Sequence, residues 1–145
     1  MNHIRFNGKA HEKAFYEMLH LYNIDSGDPE RYALFYTLTI TEDCRRHFSE
    51  CYDRESRCVE PAVLSQGWVT GTDARAIRLA YNLFNGGVPT ALINSPKKED
   101  NLFDSRGDFK FRQDELLKST PAEIFSDGSI RDFFLEAIRV RFDLF

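Results

Sequence analysis

Three cysteines and a histidine stand close together in the first half of the chain: Cys44, His47, Cys51 and Cys58. Thiolates and imidazole are the usual ligands of structural zinc, so the set reads at first as a Cys3His site. Helix geometry argues against it. Seven residues rise about 10 Å along a helix, whereas two sulfurs bound to one tetrahedral ion stand only about 4 Å apart. One helix can offer His47 with Cys44, or His47 with Cys51, but not all three, and Cys58 would have to fold back. Small buried apolar residues are the plainer reading of the thiols. His47 and Cys51 also resemble a base and a nucleophile. Such pairs normally come from separate elements, with a third group orienting the base, and no oxyanion loop is visible. The expectation is no resident metal, no cofactor and no catalytic residue.

A second group, Asp104, Asp108, Asp114 and Glu115, has the composition of a metal-dependent nuclease or a calcium loop. A calcium loop needs oxygen ligands at alternating positions and a Gly at the sixth. Arg106 interrupts that pattern. Lys97, Lys98, Arg106, Lys110, Arg112 and Lys118 interleave with the acids, as on a solvated face. Arg45, Arg46, Arg54 and Arg57 form the densest basic stretch, neutralised by Glu42, Asp43, Glu50, Asp53 and Glu55. A nucleic-acid surface would gather one sign of charge on one face. Arg75, Arg78 and Asn82 are a sharper candidate, being a narrow polar stripe on an otherwise apolar segment. Buried charge is costly unless paired. The stripe therefore reads either as a buried ion pair, with Glu30 or Glu136 as partner, or as an anion site between helices. No glycine-rich phosphate loop and no nucleophile elbow occurs.

These residues must be positioned by the elements around them. The segment Thr72 to Gly87 carries Ala76, Ile77, Ala80, Tyr81, Leu83 and Phe84 around most of a helix. Thr72 or Asp73 can cap it, and Asn85 or Gly86 can end it in the left-handed conformation. A helix apolar on so many sides must be covered by neighbours. Residues 73–85 are therefore expected as a central buried helix. A helix from Lys9 to Tyr22 carries Phe15, Met18, Leu19 and Tyr22 at helical spacing, with His11 on the same stripe. Asp28 as cap and Pro29 at the first position start another, through Tyr32, Leu34, Phe35, Leu38 and Ile40. Tyr36 to Ile40 is also rich in strand formers, but the cap signal favours helix. Thr41-Glu42-Asp43 opens a third, with Cys44, His47, Phe48, Cys51 and Tyr52 on one face. Pro61 to Gln66 reads as one helical turn closed by Gly67, and Trp68 as a core plug. Val88 to Ile93 reads as extended, residues 94–118 as a mobile insertion, and Phe109-Lys110-Phe111-Arg112 as a small hairpin at period two. Ile130, Phe133, Phe134, Ala137 and Ile138 give the cleanest amphipathic helix, capped by Ser126, Asp127 or Ser129. The fold expected is mainly α: one helical domain over 1–145, with an extended or hairpin excursion around 88–112.

Composition narrows the function classes. Thirteen Phe, six Tyr and one Trp in 145 residues predict an aromatic-rich core with rings to spare for contact. A net charge of −4 disfavours non-specific phosphate binding. The 19 bases offset the 23 acids too closely for an imitation of DNA. No apolar run nears the roughly 18 residues of a membrane span, and the first residues lack the apolar core of a secretory signal. An odd cysteine count suits a reducing compartment, so the expected location is cytoplasmic.

The runs His11-Glu12-Lys13-Ala14-Phe15-Tyr16, Glu30-Arg31-Tyr32-Ala33-Leu34-Phe35-Tyr36, Arg75 to Gly86, and Phe133-Phe134-Leu135-Glu136-Ala137-Ile138-Arg139 resemble, in that order, a family of small uncharacterised proteins from phages and mobile elements of gut Firmicutes. The resemblance implies a mostly helical fold in a mobile-element setting and supplies no catalytic residues. Its setting makes a non-enzymatic accessory protein the leading expectation. Such a protein would bind a host macromolecule, most plausibly a protein, and would inhibit an antiviral defence protein such as a CRISPR nuclease. The contact residues expected are Phe103, Arg106, Phe109, Phe111 and Arg112. A nucleic-acid-binding regulator using Arg45, Arg46, Arg75 and Arg78 is the alternative, and a metal-dependent hydrolase the less favoured third.

Overall fold

The computed structural model describes residues 3–86 and 117–143. Within them seven α-helices and one two-stranded hairpin fold into a mainly helical domain. The helices are α1 (Lys9–Leu21), α2 (Pro29–Leu38), α3 (Glu42–Arg46), α4 (Phe48–Cys51), α5 (Gly71–Asn85), α6 (Pro121–Ile124) and α7 (Arg131–Phe142). Strands β1 (Tyr52–Asp53) and β2 (Cys58–Val59) pair antiparallel between α4 and a 3-10 turn, Pro61–Ser65. Among the described residues no helix is long and apolar enough to cross a membrane.

α2 and α5 share the centre. α2 packs against both α5 and α7, and every side chain from Ala33 to Leu38 is fully enclosed. Asp28 accepts the Arg31 N–H at 3.1 Å as its cap, with Pro29 following. The strand-rich run is therefore helical, because cap and burial outweigh intrinsic preference. Thr37 and Thr39 donate their hydroxyls to the Ala33 and Phe35 carbonyls, each at 2.7 Å, which lets two polar residues sit in the core. α5 buries Ala76, Ile77, Leu79, Ala80, Tyr81 and Leu83, as its apolar flank requires. Phe15, Phe35, Tyr36, Tyr52, Tyr81 and Phe134 make the interior aromatic. Phe35 and Tyr52, for example, meet nearly edge-on at 5.0 Å.

Several local expectations need correction. The cap of α5 is Thr70, not Thr72 or Asp73. Asp73 sits at the third helical position and returns its carboxylate to the Thr70 N–H, a reciprocal capping box. Thr72 instead donates to the Asp127 carboxylate at 2.7 Å. At the other end Gly86 takes φ +75 and returns its N–H to the Asn82 carbonyl. α7 begins one residue after Ile130 with no side-chain cap, since Asp127 is turned onto Ser129. The third segment is not one helix. It breaks at His47 into α3 and α4, and Tyr52 leaves into β1. The hairpin between Tyr52 and Val59 had no sequence signal, because two-residue strands are too short to show alternation. Arg57, at φ +58, makes its turn. The extended run at 88–93, the hairpin at 109–112 and residues 94–116 of the insertion at 94–118 lie outside the described residues, while Leu117 and Lys118 are helical.

Candidate functional site

The break at His47 decides what the cysteines and the histidine can do. Cys44 and Cys51 point inward and are fully buried, while Cys58 is exposed on β2. The two buried thiols meet: hydrogen bonding from Cys44, reinforced by burial, pushes the Cys51 thiol far above its usual range. Cys44 Sγ also lies 3.9 Å from Asp73 Oδ1. His47 faces the other way. Its ring stacks on Trp68 at 4.2 Å with planes 8° apart, and its Nδ1 lies against the Glu50 carboxylate. His47 therefore does not share a face with the thiols. Among the described residues no three His, Cys, Asp or Glu side chains gather as a metal ion would require.

The arginine stripe also divides. Arg75 is held by Glu123, donating Nε to its carbonyl at 3.2 Å and standing 3.5 Å from its carboxylate. Neither Glu30 nor Glu136 is its partner. Glu30 meets Arg141 at 3.3 Å, and Glu136 takes a two-point contact from Arg139 at 2.8 Å. Arg75 and Arg78 line an open cleft of about 300 Å³ with Lys118, whereas Asn82 lines a different one. Of the other candidate bases, Arg45 donates to the Thr39 and Ile40 carbonyls at 2.9 and 3.0 Å, closing the end of α2. Arg46 pairs with Glu42. Both are thus engaged locally rather than held ready for phosphate. Phe103, Arg106, Phe109, Phe111 and Arg112, with the acids Asp104, Asp108, Asp114 and Glu115, lie outside the described residues.

The feature that sequence reading missed is an acidic cleft of about 330 Å³ between α4, the hairpin and the 3-10 turn. Glu50 and Asp53 line one side, Glu60 another, and Ala62 and Val63 supply apolar surface. Among the described residues no Lys or Arg lines it. The hydroxyl and N–H of Ser56 bind the Asp53 carboxylate and hold its pKa below the ordinary value, so it stays ionised. Glu50 is oriented from two directions, by His47 Nδ1 and by Trp68 Nε1 at 3.4 Å. Trp68 packs partly on the core and partly on His47, so it is not the enclosed plug the sequence implies. Folding sorts two acids of the stretch read as a neutralised basic run, Glu50 and Asp53, onto one cleft, while Glu42 pairs with Arg46. Only the hairpin returns Glu60 beside α4, its N–H bonded to the Cys51 carbonyl at 3.0 Å, and no sequence signal announced that hairpin.

No curated protein and no solved structure matches the chain. A family model described as a family of unknown function covers residues 1–144, so the chain belongs to that family, DUF6075.

Proposed function

We propose that this protein is a non-enzymatic binding protein whose acidic cleft takes a basic segment of a protein partner. One observation carries the reading: Glu50, Asp53 and Glu60 line a single open cleft whose described lining residues include no Lys or Arg, with the His47 ring against Glu50. Three carboxylates spread around a cleft, without converging as a metal site does, suit the long, spaced cations of an arginine- or lysine-bearing segment. Ala62 and Val63 offer apolar surface to the aliphatic stems of such side chains. Complementary charge of this kind speeds encounter and excludes wrong partners more than it adds affinity.

In the mobile-element setting that the sequence resemblance implies, an antiviral nuclease is a partner of this chemistry. CRISPR effectors hold their guide–target duplex in a positively charged channel, and occupation of such a channel would inhibit the nuclease. Trp68 gives a direct readout, because Glu50 both lines the cleft and accepts its indole N–H. Titrating the protein with an arginine-rich decapeptide should change Trp68 fluorescence saturably at low salt. A neutral peptide of equal length should not. The pair Glu60→Lys and Gln66→Lys, both at exposed positions, should weaken binding by about tenfold or more at unchanged fold. Equal responses to basic and neutral peptides, or an indifferent double variant, would remove the assignment.

A further inference from the structure

A second cleft, of about 300 Å³, opens between α5, α6 and α7, at the lower end of the volumes that hold small organic ligands. Leu79 and Leu83 come from α5, Ile124 from α6, and Ile138 and Phe142 from α7. Among the described residues, none of the side chains lining it is charged. Its polar lining residues are Asn82 and Ser119, and Ser119 Oγ is buried and has no hydrogen-bond partner. The neighbouring hydroxyl behaves normally: Thr120 Oγ1 donates to the Leu117 carbonyl at 2.9 Å and accepts the Glu123 N–H. Buried polar atoms are almost always paired, and an exception calls for a missing partner.

We propose that this cleft binds a small, uncharged, mainly apolar molecule with one hydrogen-bonding group, such as a phenol, and that Ser119 Oγ is the anchor. The lining disfavours an ionic ligand, because nothing among its described residues offsets the loss of hydration. The aliphatic and aromatic walls select an apolar body. The unpaired hydroxyl, able to donate and to accept, selects a single polar head. Phe142, exposed at the end of α7, leaves one wall open for entry. This site is separate from the acidic cleft, and either can fail without the other.

The test uses the full chain, labelled with ¹⁵N and titrated with p-cresol or with p-xylene, which replaces the hydroxyl by a methyl group. Saturable shifts at the amides of Leu79, Leu83 and Ile138 are expected, with p-cresol bound about fivefold more tightly than p-xylene, the value of one hydrogen bond. Ser119→Ala should abolish that preference and keep p-xylene binding. Ile138→Trp should block both probes. Ser119→Ala deletes only an unpartnered oxygen, so it carries the test even if the tryptophan variant unfolds. Absence of saturable shifts with p-cresol, as expected if water alone serves Ser119, would overturn the proposal. Survival of the preference in Ser119→Ala would overturn it equally.

Discussion

The Thr41 hydroxyl donates to the Asp73 carboxylate at 2.8 Å, joining the first turns of two helices far apart in sequence. Thr41 is the cap of α3, and Asp73 closes the capping box of α5 through Thr70. One buried carboxylate thus serves both helix starts, favoured there by the positive ends of their dipoles.

Asp73→Ala removes the acceptor shared by Thr41 and Thr70 and leaves both hydroxyls short of a partner. The expected loss is about 2–4 kcal/mol, the sum of a lost cap and an unpaired buried group. Thr41→Val, which touches only one of the two ends, should cost about 1 kcal/mol. Urea denaturation measures both, and equal losses would show that the bridge does not couple the two helices.

Asp43 carries the consequence of that bridge. Its hydrogen bond with Asp73, together with their mutual repulsion, raises the pKa of its carboxyl above the ordinary 3.8. A raised folded pKa favours the protonated form. The stabilisation is complete below the unfolded pKa and is lost as pH rises through the folded one. At neutral pH the ionised Asp43 should therefore work against the fold. Asp43→Asn should raise the melting temperature at pH 7, and its advantage should shrink toward pH 3.5. Thermal melts across that range decide it.

His11 is fully buried, with Nδ1 accepting the Asn7 N–H at 3.0 Å and Nε2 donating to the Tyr36 carbonyl at 2.8 Å. Burial lowers its pKa from 6.5 to about 4. The neutral ring is the folded form. Its contribution is therefore complete above pH 6.5 and is lost as pH falls from 6.5 to about 4, by roughly 3 kcal/mol in all. His11→Phe should remove this slope from the stability profile. It should also cost about 1–3 kcal/mol at pH 7, because the Asn7 N–H is left unpaired, while the Tyr36 carbonyl keeps the Thr39 hydroxyl at 3.1 Å. A variant retaining the slope would place the titration elsewhere.

The thiols should separate by reactivity. Cys58 is exposed, whereas Cys44 and Cys51 are enclosed, and the thiolate form of Cys51 is strongly disfavoured. Native protein should add one alkyl group rapidly with iodoacetamide, and denatured protein three. Thiolate availability and access govern the rate. Intact-mass spectrometry gives the count, and rapid native addition at Cys51 would contradict the buried pair.

The sequence by itself determined the helices and much of their burial. Asp28-Pro29 announces α2, Gly86 ends α5, and the spacing of His11, Phe15 and Leu19 turns α1 inward. These signals are local: a cap bonds within three or four residues, and helical periodicity repeats within a turn. The Thr120-Pro121 pair that starts α6 is a local signal of the same kind, with Thr120 accepting the Glu123 N–H, although the helix is only four residues long. What tertiary structure decided is which residues of different elements meet. The break at His47 puts two thiols on the inside and the imidazole on Trp68, where one continuous helix would have aligned all three. A hairpin of two-residue strands returns the chain so that Glu60 lies beside Cys51 at the end of α4, and the acidic cleft forms there. Arg75 finds Glu123 rather than Glu30 or Glu136 because α6 folds back beside α5. Long-range partners are chosen by packing, and no periodicity in one segment records the position of another.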